Sequence, residues 1–171
     1  VVHQFSLFDK VFCDDIYDIN KSKLNAASTI VFSPGPGSPK DYPLSSKIYK
    51  QFKGKKKIIG ICLGFQQILF SEGAKIIEQK KIYHGFQSEV IVNNSSKLFN
   101  KGKKFKVGRY HSLKLKEPFN VKNFKITMRC AISKVAMSFE NNIDKVYGFQ
   151  FHPESFLTIN GSLLIKKVLS A

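Results

Sequence analysis

Three side chains in this sequence could together carry out covalent catalysis on an amide or an ester. Cys62 lies in the pentapeptide Gly60-Ile61-Cys62-Leu63-Gly64, and His152 and Glu154 lie two residues apart later in the chain. A thiol nucleophile, an imidazole base and a carboxylate that orients the base form a catalytic triad. The types and spacing of these residues therefore indicate a cysteine hydrolase.

The Cys62 pentapeptide has the form of a sharp strand-to-helix turn, in which flanking glycines prevent clashes and the nucleophile projects from the tip. The positive end of the following helix would favour a thiolate at Cys62, and the N–H of Leu63 would point towards an oxyanion formed there. Taken alone, the turn fits a small buried cysteine equally well. The interpretation as a nucleophile therefore depends on finding a base.

His152 and Glu154 follow an apolar run, residues 148–151, that is typical of the end of a strand. Side chains two residues apart on an extended backbone leave on the same side, so we expect Glu154 to contact one imidazole nitrogen while the other faces away. Pro153 should stiffen this geometry. His84 and His111 could lie near a substrate, but we interpret both as structural.

The surrounding elements predict an α/β fold with a mainly parallel sheet and some antiparallel strands. Residues 57–61 are continuously apolar, as parallel strands buried on both faces tend to be, and they lead through the Cys62 turn into a helix at 63–72. The strand at 29–32 ends in a rigid Pro- and Gly-rich loop. Further strands are predicted at 89–92, 124–128, 135–139 and 146–151, and helices at 44–52 and 163–169.

Composition limits the classes of protein to consider. A chain of 171 residues with 43% hydrophobic residues fits one domain. No segment has the length of a membrane-spanning helix, and the start does not have the pattern of a secretory signal. Cys13, Cys62 and Cys130 are widely separated and match no disulfide or zinc pattern, so we expect a reducing cytoplasm and neither a metal nor a cofactor.

The net charge of +16 raises the possibility of an acidic partner or of nucleic acid. Arg109 and Arg129 are the only arginines, whereas surfaces that clamp phosphates or read bases favour the bidentate guanidinium. The lysines are scattered along the chain. We therefore interpret the charge mainly as a solvated basic surface, with an acidic partner as the alternative.

Four segments together resemble the class I, or triad, glutamine amidotransferases. They are Ser33-Pro34-Gly35-Pro36-Gly37, Gly60-Ile61-Cys62-Leu63-Gly64-Phe65-Gln66, Arg109-Tyr110-His111-Ser112-Leu113 and Gly148-Phe149-Gln150-Phe151-His152-Pro153-Glu154-Ser155. Their order and spacing fit the family over essentially the whole chain. The first and third segments are most similar to the small, component II subunits of anthranilate synthase and aminodeoxychorismate (para-aminobenzoate) synthase.

The resemblance implies a flavodoxin-like architecture and hydrolysis of L-glutamine to glutamate and ammonia. It implies that a larger, chorismate-binding synthase subunit receives the ammonia, and that no nucleic acid or membrane is bound. Cys62 would form a γ-glutamyl thioester, His152 would move the protons, and Glu154 would hold the imidazole. Contacts with glutamine and the oxyanion are implied for Gly35, Pro36, Gly37, Leu63, Gln66, Ser112 and Leu113.

Two features depart from the family pattern. Family members usually begin with an apolar strand, whereas this chain opens in what would be the first helix, so we expect one domain over 1–171 that lacks its first strand. Phe65 stands where a polar or flexible residue is usual. Two other functions stay open: a stand-alone Cys-His-Glu hydrolase such as a γ-glutamyl hydrolase, and a non-catalytic basic module that binds nucleic acid.

Overall fold

Nine strands and five α-helices lie along residues 1–171, all of which the computed structural model describes. The strands are β1 (Thr29–Phe32), β2 (Lys57–Ile61), β3 (Ile76–Glu78), β4 (Phe86–Val92), β5 (Lys104–Arg109), β6 (Leu113–Leu115), β7 (Lys125–Cys130), β8 (Ala136–Asn141) and β9 (Val146–Phe149). The helices are α1 (Val2–Ser6), α2 (Lys21–Ala26), α3 (Pro43–Phe52), α4 (Leu63–Ser71) and α5 (Gly161–Leu169). None of these helices has the length and apolar character needed to cross a lipid bilayer.

Seven of the strands form a mixed sheet in the order β1-β2-β9-β8-β7-β4-β5, and β3 pairs with β6 in a separate ribbon. The strands β1, β2 and β9 are parallel, and all later pairs in the sheet are antiparallel. The α/β class is confirmed, although parallel pairing is limited to three strands. Residues 142–145 between β8 and β9 are too few for a crossover, so these two strands must be antiparallel.

Strand β2 is buried on both faces because helices cover both sides of the parallel part of the sheet. Ile58 packs with the apolar side chains of α3 and α4, while its neighbour Ile59 packs with those of α5. Successive side chains of a strand point to opposite faces, so a strand covered twice must be apolar throughout. This double burial explains the continuous apolar run at residues 57–61 and fixes the position of the turn that follows.

The predicted strands at 29–32 and 57–61 have the predicted bounds, and the predicted helix at 63–72 ends one residue earlier, at Ser71. The other predicted elements are present with shifted ends. Strand β5 is not among the predicted elements, and in it Lys104 and Lys106 alternate with the buried Phe105 and Val107. That alternation is typical of a strand with one solvated face, and its lysines obscure the pattern.

A groove of about 1220 Å³ lies beside β1. Strand β1 is the edge of the sheet and pairs only with β2. Val11, Val31 and Glu154 are among the residues that line the groove. The free edge of β1 therefore faces an open groove that includes one of the predicted catalytic residues.

Candidate active site

The turn at Cys62 has the strained backbone that the glycine-flanked pentapeptide predicts. Cys62 joins the end of β2 to the start of α4, with φ 54° and ψ −102°. A residue with a Cβ rarely adopts this conformation, which persists only where the surroundings impose it. The Cys62 N–H donates to the Phe149 carbonyl of β9 at 2.8 Å, so the neighbouring strand holds the turn in place.

The two glycines of the turn allow backbones to approach closely. A Cβ on Gly60 would lie 2.5 Å from the carbonyl oxygen of Gly64, and a Cβ on Gly64 would lie 2.0 Å from the carbonyl oxygen of Phe32 in β1. Both distances are shorter than non-bonded atoms tolerate. The glycines therefore press the first turn of α4 against β1 and β2, which sets the direction in which the Cys62 side chain projects.

His152 and Glu154 are in contact, as predicted, although the backbone between them is not extended. The Nδ1–H of His152 donates to Glu154 Oε1 at 2.8 Å. The Ser155 N–H donates to the His152 carbonyl at 3.2 Å and closes a turn around Pro153. The contact therefore arises from this turn. Strand β9 already ends at Phe149, so His152 and Glu154 do not lie on a strand and their side chains do not share a strand face.

The electrostatics of the site couple Cys62, His152 and Glu154. Burial lowers the pKa of His152, but its interactions with Cys62 and Glu154 outweigh this effect and raise the pKa to about 9. Burial raises the pKa of Glu154, but the hydrogen bond from His152 outweighs this effect and lowers it. The buried His152 Nε2 has no hydrogen-bond partner, and Cys62 is the nearby acidic group that this nitrogen could accept a proton from. The structure thus brings together the three residues that the sequence predicts as a triad.

The antiparallel part of the sheet also holds His152, through residues that the analysis of the sequence does not single out. The His152 N–H donates to the Gly108 carbonyl at 3.0 Å, which forms an isolated bridge to the end of β5. The ring of Tyr110 lies edge-on to the imidazole at 4.9 Å, and the Tyr110 hydroxyl is 2.9 Å from Ser155 Oγ. Tyr110 belongs to the same segment as Ser112 and Leu113, so its place in that block is the signal that could have identified it.

The loop after β1 lies over the start of α4. A Cβ on Gly35 would lie 3.0 Å from Leu63 Cδ2, and Gly37 has φ +74°, a conformation that favours glycine. The Tyr42 hydroxyl donates to the Pro36 carbonyl at 3.0 Å and holds the loop. As the first residue of α4, Leu63 has an N–H with no partner within the helix. The predicted oxyanion residues are therefore neighbours of Cys62.

The residues predicted to hold glutamine also converge. Gln66 Nε2 donates to the Leu113 carbonyl at 3.4 Å and to Gln150 Oε1 at 3.1 Å, and the Gln66 side chain is buried. Ser112 is exposed, and its carbonyl accepts from the Gln79 N–H at 2.9 Å. The structure thus joins Gln66 to Leu113 and leaves the Ser112 side chain free, but the contacts of all these residues with glutamine stay predictions.

The two remaining histidines near this region differ in their surroundings. His111 is buried and hydrogen-bonded, in keeping with a structural role, whereas His84 is exposed before Gly85, which has φ +75°. No group of three or more His, Cys, Asp or Glu side chains anywhere in the chain is arranged to hold a metal ion. The candidate site offers a thiol, an imidazole and a carboxylate.

Comparison with known proteins gives the family from the sequence. The sequence profile of the family described as glutamine amidotransferase class-I matches residues 10–171. Anthranilate synthase component 2 of Lactococcus lactis is 38% identical over 145 residues, which are 84% of this chain and 73% of that protein. Anthranilate synthase component 2 of Buchnera aphidicola from Schizaphis graminum is 35% identical over 157 residues, 89% of this chain and 76% of that protein.

Solved structures show the same fold at lower identity. A glutamine amidotransferase from Thermotoga maritima superposes with a TM-score of 0.66 at 20% identity, over 81% of this chain and 61% of that one. PurLQS from the same organism gives a TM-score of 0.63 at 20% identity, over 84% of this chain and 79% of that one. With the profile match over nearly the whole sequence, these findings show that the chain belongs to the class I glutamine amidotransferase family.

Proposed function

We propose that this chain is the glutamine-hydrolysing subunit of an anthranilate synthase. It converts L-glutamine to glutamate and ammonia and supplies the ammonia to a larger, chorismate-binding subunit. The observation that carries the proposal is a buried site in which Glu154 holds His152 Nδ1 at 2.8 Å and leaves the His152 Nε2 without a partner near Cys62. The names of its relatives favour anthranilate synthase over aminodeoxychorismate synthase as the complex.

In the first half of the reaction, Cys62 Sγ attacks the side-chain amide carbon of glutamine while His152 Nε2 takes the thiol proton. The carbon–nitrogen bond then breaks, and the same proton passes from His152 to the departing nitrogen, which leaves as ammonia. The product on the enzyme is a γ-glutamyl thioester. The raised pKa of His152 fits a base that holds a proton beside a sulfur and returns it to the leaving group.

In the second half, His152 takes a proton from water, and the resulting hydroxide attacks the thioester carbon. The carbon–sulfur bond breaks, glutamate leaves, and the proton returns to Cys62. The sum is glutamine plus water giving glutamate plus ammonia. Glu154 keeps its negative charge throughout and orients the ring through the bond to Nδ1, because its pKa is lowered by that contact.

The residues around the triad have separate roles in this proposal. The negative oxygen of each tetrahedral intermediate is stabilised by the N–H of Leu63 and by an N–H of the Gly35-Pro36-Gly37 loop, which packs on Leu63. Gln66, Ser112 and Leu113 hold the amino and carboxylate ends of glutamine. The hydrogen bond between Gln66 and Leu113 supports their common role, because it places both at one end of the site.

We also propose that residues 1–171 form one domain whose sheet takes a further strand along the free edge of β1. The groove beside β1 supports this, because an unpaired apolar edge strand is open to pairing. A strand there would also cover the groove that Glu154 helps to line. Cooperative, two-state unfolding of the 171-residue chain by itself would support a single domain and would count against the need for a further strand.

The catalytic proposal is tested by measuring ammonia and glutamate released from glutamine. Cys62→Ala should abolish turnover, and Cys13→Ala is the control because Cys13 is a free cysteine that is exposed. Circular dichroism and the melting temperature show whether each variant is folded. Turnover by folded Cys62→Ala would overturn the mechanism, and loss of turnover in both variants would show that the effect is not specific to Cys62.

The partner is tested by adding a chorismate-binding anthranilate synthase subunit. Glutamine hydrolysis should rise when that subunit and chorismate are present, and anthranilate should form with glutamine as the nitrogen source. If hydrolysis is unaffected and the two proteins do not bind, a stand-alone hydrolase such as a γ-glutamyl hydrolase is the better explanation. If the complex forms aminodeoxychorismate, the assignment of the product changes while that of the reaction stands.

A further inference from the structure

A buried arginine with no carboxylate partner lies behind the segment proposed to hold glutamine. Arg109 is fully buried at the end of β5. Its guanidinium lies 3.6 Å from the centre of the Tyr83 ring, and Nη1 is 3.5 Å from Cys130 Sγ. The remaining contact is Nε, which donates to His111 Nε2 at 3.1 Å, while Nη2 has no hydrogen-bond partner. Burying a cation without a carboxylate partner costs free energy, which suggests that the contacts of Arg109 serve a function.

The contact between Arg109 and His111 fixes the protonation of the His111 ring. A guanidinium only donates hydrogen bonds, so His111 Nε2 must be the acceptor and carries no proton. The proton of the neutral ring is then on Nδ1, which donates to the Leu113 carbonyl at 2.8 Å. Burial and the Arg109 charge lower the pKa of His111 to about 4, which keeps the ring neutral near pH 7.

The Leu113 carbonyl that His111 holds is on the side of the strand that faces the candidate site. In the β3–β6 ribbon, the Ser112 carbonyl accepts from the Gln79 N–H at 2.9 Å, so it points towards β3. In a trans peptide the N–H points opposite to the carbonyl, so the Leu113 N–H points away from β3. The Leu113 carbonyl shares this direction, because both groups of one residue in an antiparallel strand face the same way.

Gln66 and His111 therefore hold one backbone group from two directions. Gln66 Nε2, on α4, donates to the Leu113 carbonyl at 3.4 Å, and the His111 ring donates at 2.8 Å. The side chain of Gln79 adds a third restraint by donating to the His111 carbonyl at 2.5 Å. The Leu113 carbonyl is held by these side chains, and the preceding peptide is held by the ribbon. The backbone at Leu113 therefore has one orientation, and the Leu113 N–H is left free for a ligand.

We infer that Arg109 and His111 are positioning residues for the recognition of glutamine. Arg109 keeps His111 in the form protonated on Nδ1, and His111 holds the Leu113 carbonyl so that the adjacent N–H is aimed at the substrate. The inference rests on the proposed function, since the ligand is the α-carboxylate or another head-group oxygen of glutamine. Neither side chain touches the reacting amide, so their loss weakens binding of the head group and leaves the chemistry at Cys62 intact.

The test compares two replacements of His111 that place an amide N–H at different ring positions. In His111→Asn the side-chain nitrogen occupies roughly the place of Nδ1 and can still donate to Leu113, whereas in His111→Gln it occupies roughly the place of Nε2. His111→Gln should raise KM for glutamine about tenfold with kcat changed less than about twofold, and His111→Asn should restore most of the affinity. His84→Asn and His84→Gln are matched controls, because His84 is exposed, and should leave KM unchanged.

Two reagents that attack Cys62 separate recognition of the head group from damage to the triad. Iodoacetamide has no amino-acid head group, whereas 6-diazo-5-oxo-L-norleucine carries the head group of glutamine. In His111→Gln the second reagent should react about tenfold more slowly, and iodoacetamide should react at the wild-type rate. Equal slowing of both reagents, or equal KM values for the Asn and Gln variants, would overturn the positioning role.

The tautomer of His111 gives a readout that does not depend on activity. Nitrogen-15 NMR of the wild-type chain should show His111 protonated on Nδ1 and not on Nε2, and Arg109→Met should weaken that preference, because the Leu113 carbonyl alone then favours the Nδ1 form. Arg129→Met is the control, because Arg129 pairs with Glu117 away from the site. A wild-type His111 protonated on Nε2 overturns the inference. A chain with the expected tautomer but no glutamine hydrolysis contradicts the proposed function instead.

Discussion

Replacing Cys62 by alanine and by glycine measures the strain stored in the nucleophile turn. Cys62 has φ 54° and ψ −102°, which glycine adopts freely and other residues do not. Backbone strain of this kind costs about 1–3 kcal/mol. Glycine elsewhere is less stable than alanine by about 0.5–1 kcal/mol from backbone entropy, and it loses about 0.8 kcal/mol more when a buried methyl group is removed. These two costs must be separated from the relief of strain.

The buried Cys130 of β7 provides that separation. It lies in an ordinary strand, so Cys130→Gly should be less stable than Cys130→Ala by about 1–2 kcal/mol. The same costs apply at Cys62, where relief of strain opposes them. For each position, the free energy of unfolding of the alanine variant is subtracted from that of the glycine variant. The result should be more favourable to glycine at position 62 than at position 130, by about 1–3 kcal/mol.

Urea denaturation of the four variants gives these differences in the free energy of unfolding, and melting temperatures provide a check. For a chain of this length, 1 kcal/mol corresponds to about 2–4 °C in Tm. Both Cys62 variants lack the nucleophile and should be inactive, so activity does not enter the comparison. If glycine is disfavoured equally at both positions, the turn stores no strain and the close packing around Gly60 and Gly64 is not what forces its shape.

Three further outcomes follow from the site. Glu154→Gln should lower kcat for glutamine hydrolysis about a hundredfold or more, less than Cys62→Ala does, because it removes the charge that supports the imidazole but leaves the nucleophile; unchanged kcat in steady-state assays would contradict the orienting role. His152 has a pKa of about 9 against 6.5 when unperturbed. The stability that protonated His152 contributes is therefore complete below about pH 6.5 and is lost as the pH rises through about 9. The loss in free energy of unfolding caused by His152→Gln should be larger at pH 6 than at pH 9.5 by about 3 kcal/mol. Equal losses at the two pH values in urea denaturation would disprove the coupling. Gly64→Ala should destabilise the chain by about 3 kcal/mol, since the added Cβ would overlap the Phe32 carbonyl oxygen; a melting temperature within error of wild type would show that β1 can move aside.

The parts of the fold that could be predicted are the elements whose burial produces a clear pattern of apolar residues within a short stretch of sequence. Strand β2 is apolar from Ile58 to Ile61 because helices cover both of its faces, so its position follows from the residues alone. Strand β5 alternates lysine with buried apolar residues, and lysine is a weak indicator of a strand. The ribbon formed by β3 and β6 pairs three-residue segments far apart in sequence, which no local pattern reveals.

The candidate site divides in the same way. Cys62, His152 and Glu154 could be identified because their chemistry is distinctive and each lies in a short, recognisable segment. Tyr110 and Arg109 also have specific contacts, with Ser155 and His111 respectively. These contacts form only in the fold, and the residue types do not predict them. The turn around Pro153 was also beyond prediction, since a hydrogen bond from Ser155 decides between a turn and an extended segment.

The parallel pairing of β2 with β9 has a consequence for the newly synthesised chain. Cys62 leaves the ribosome about 90 residues before His152, which at ordinary rates of translation is roughly 5–20 s earlier. During that interval Cys62 has neither the proposed base nor the Phe149 carbonyl that fixes its turn. On the proposed mechanism, the nascent chain therefore cannot hydrolyse glutamine until the last strand of the sheet and His152 have been made.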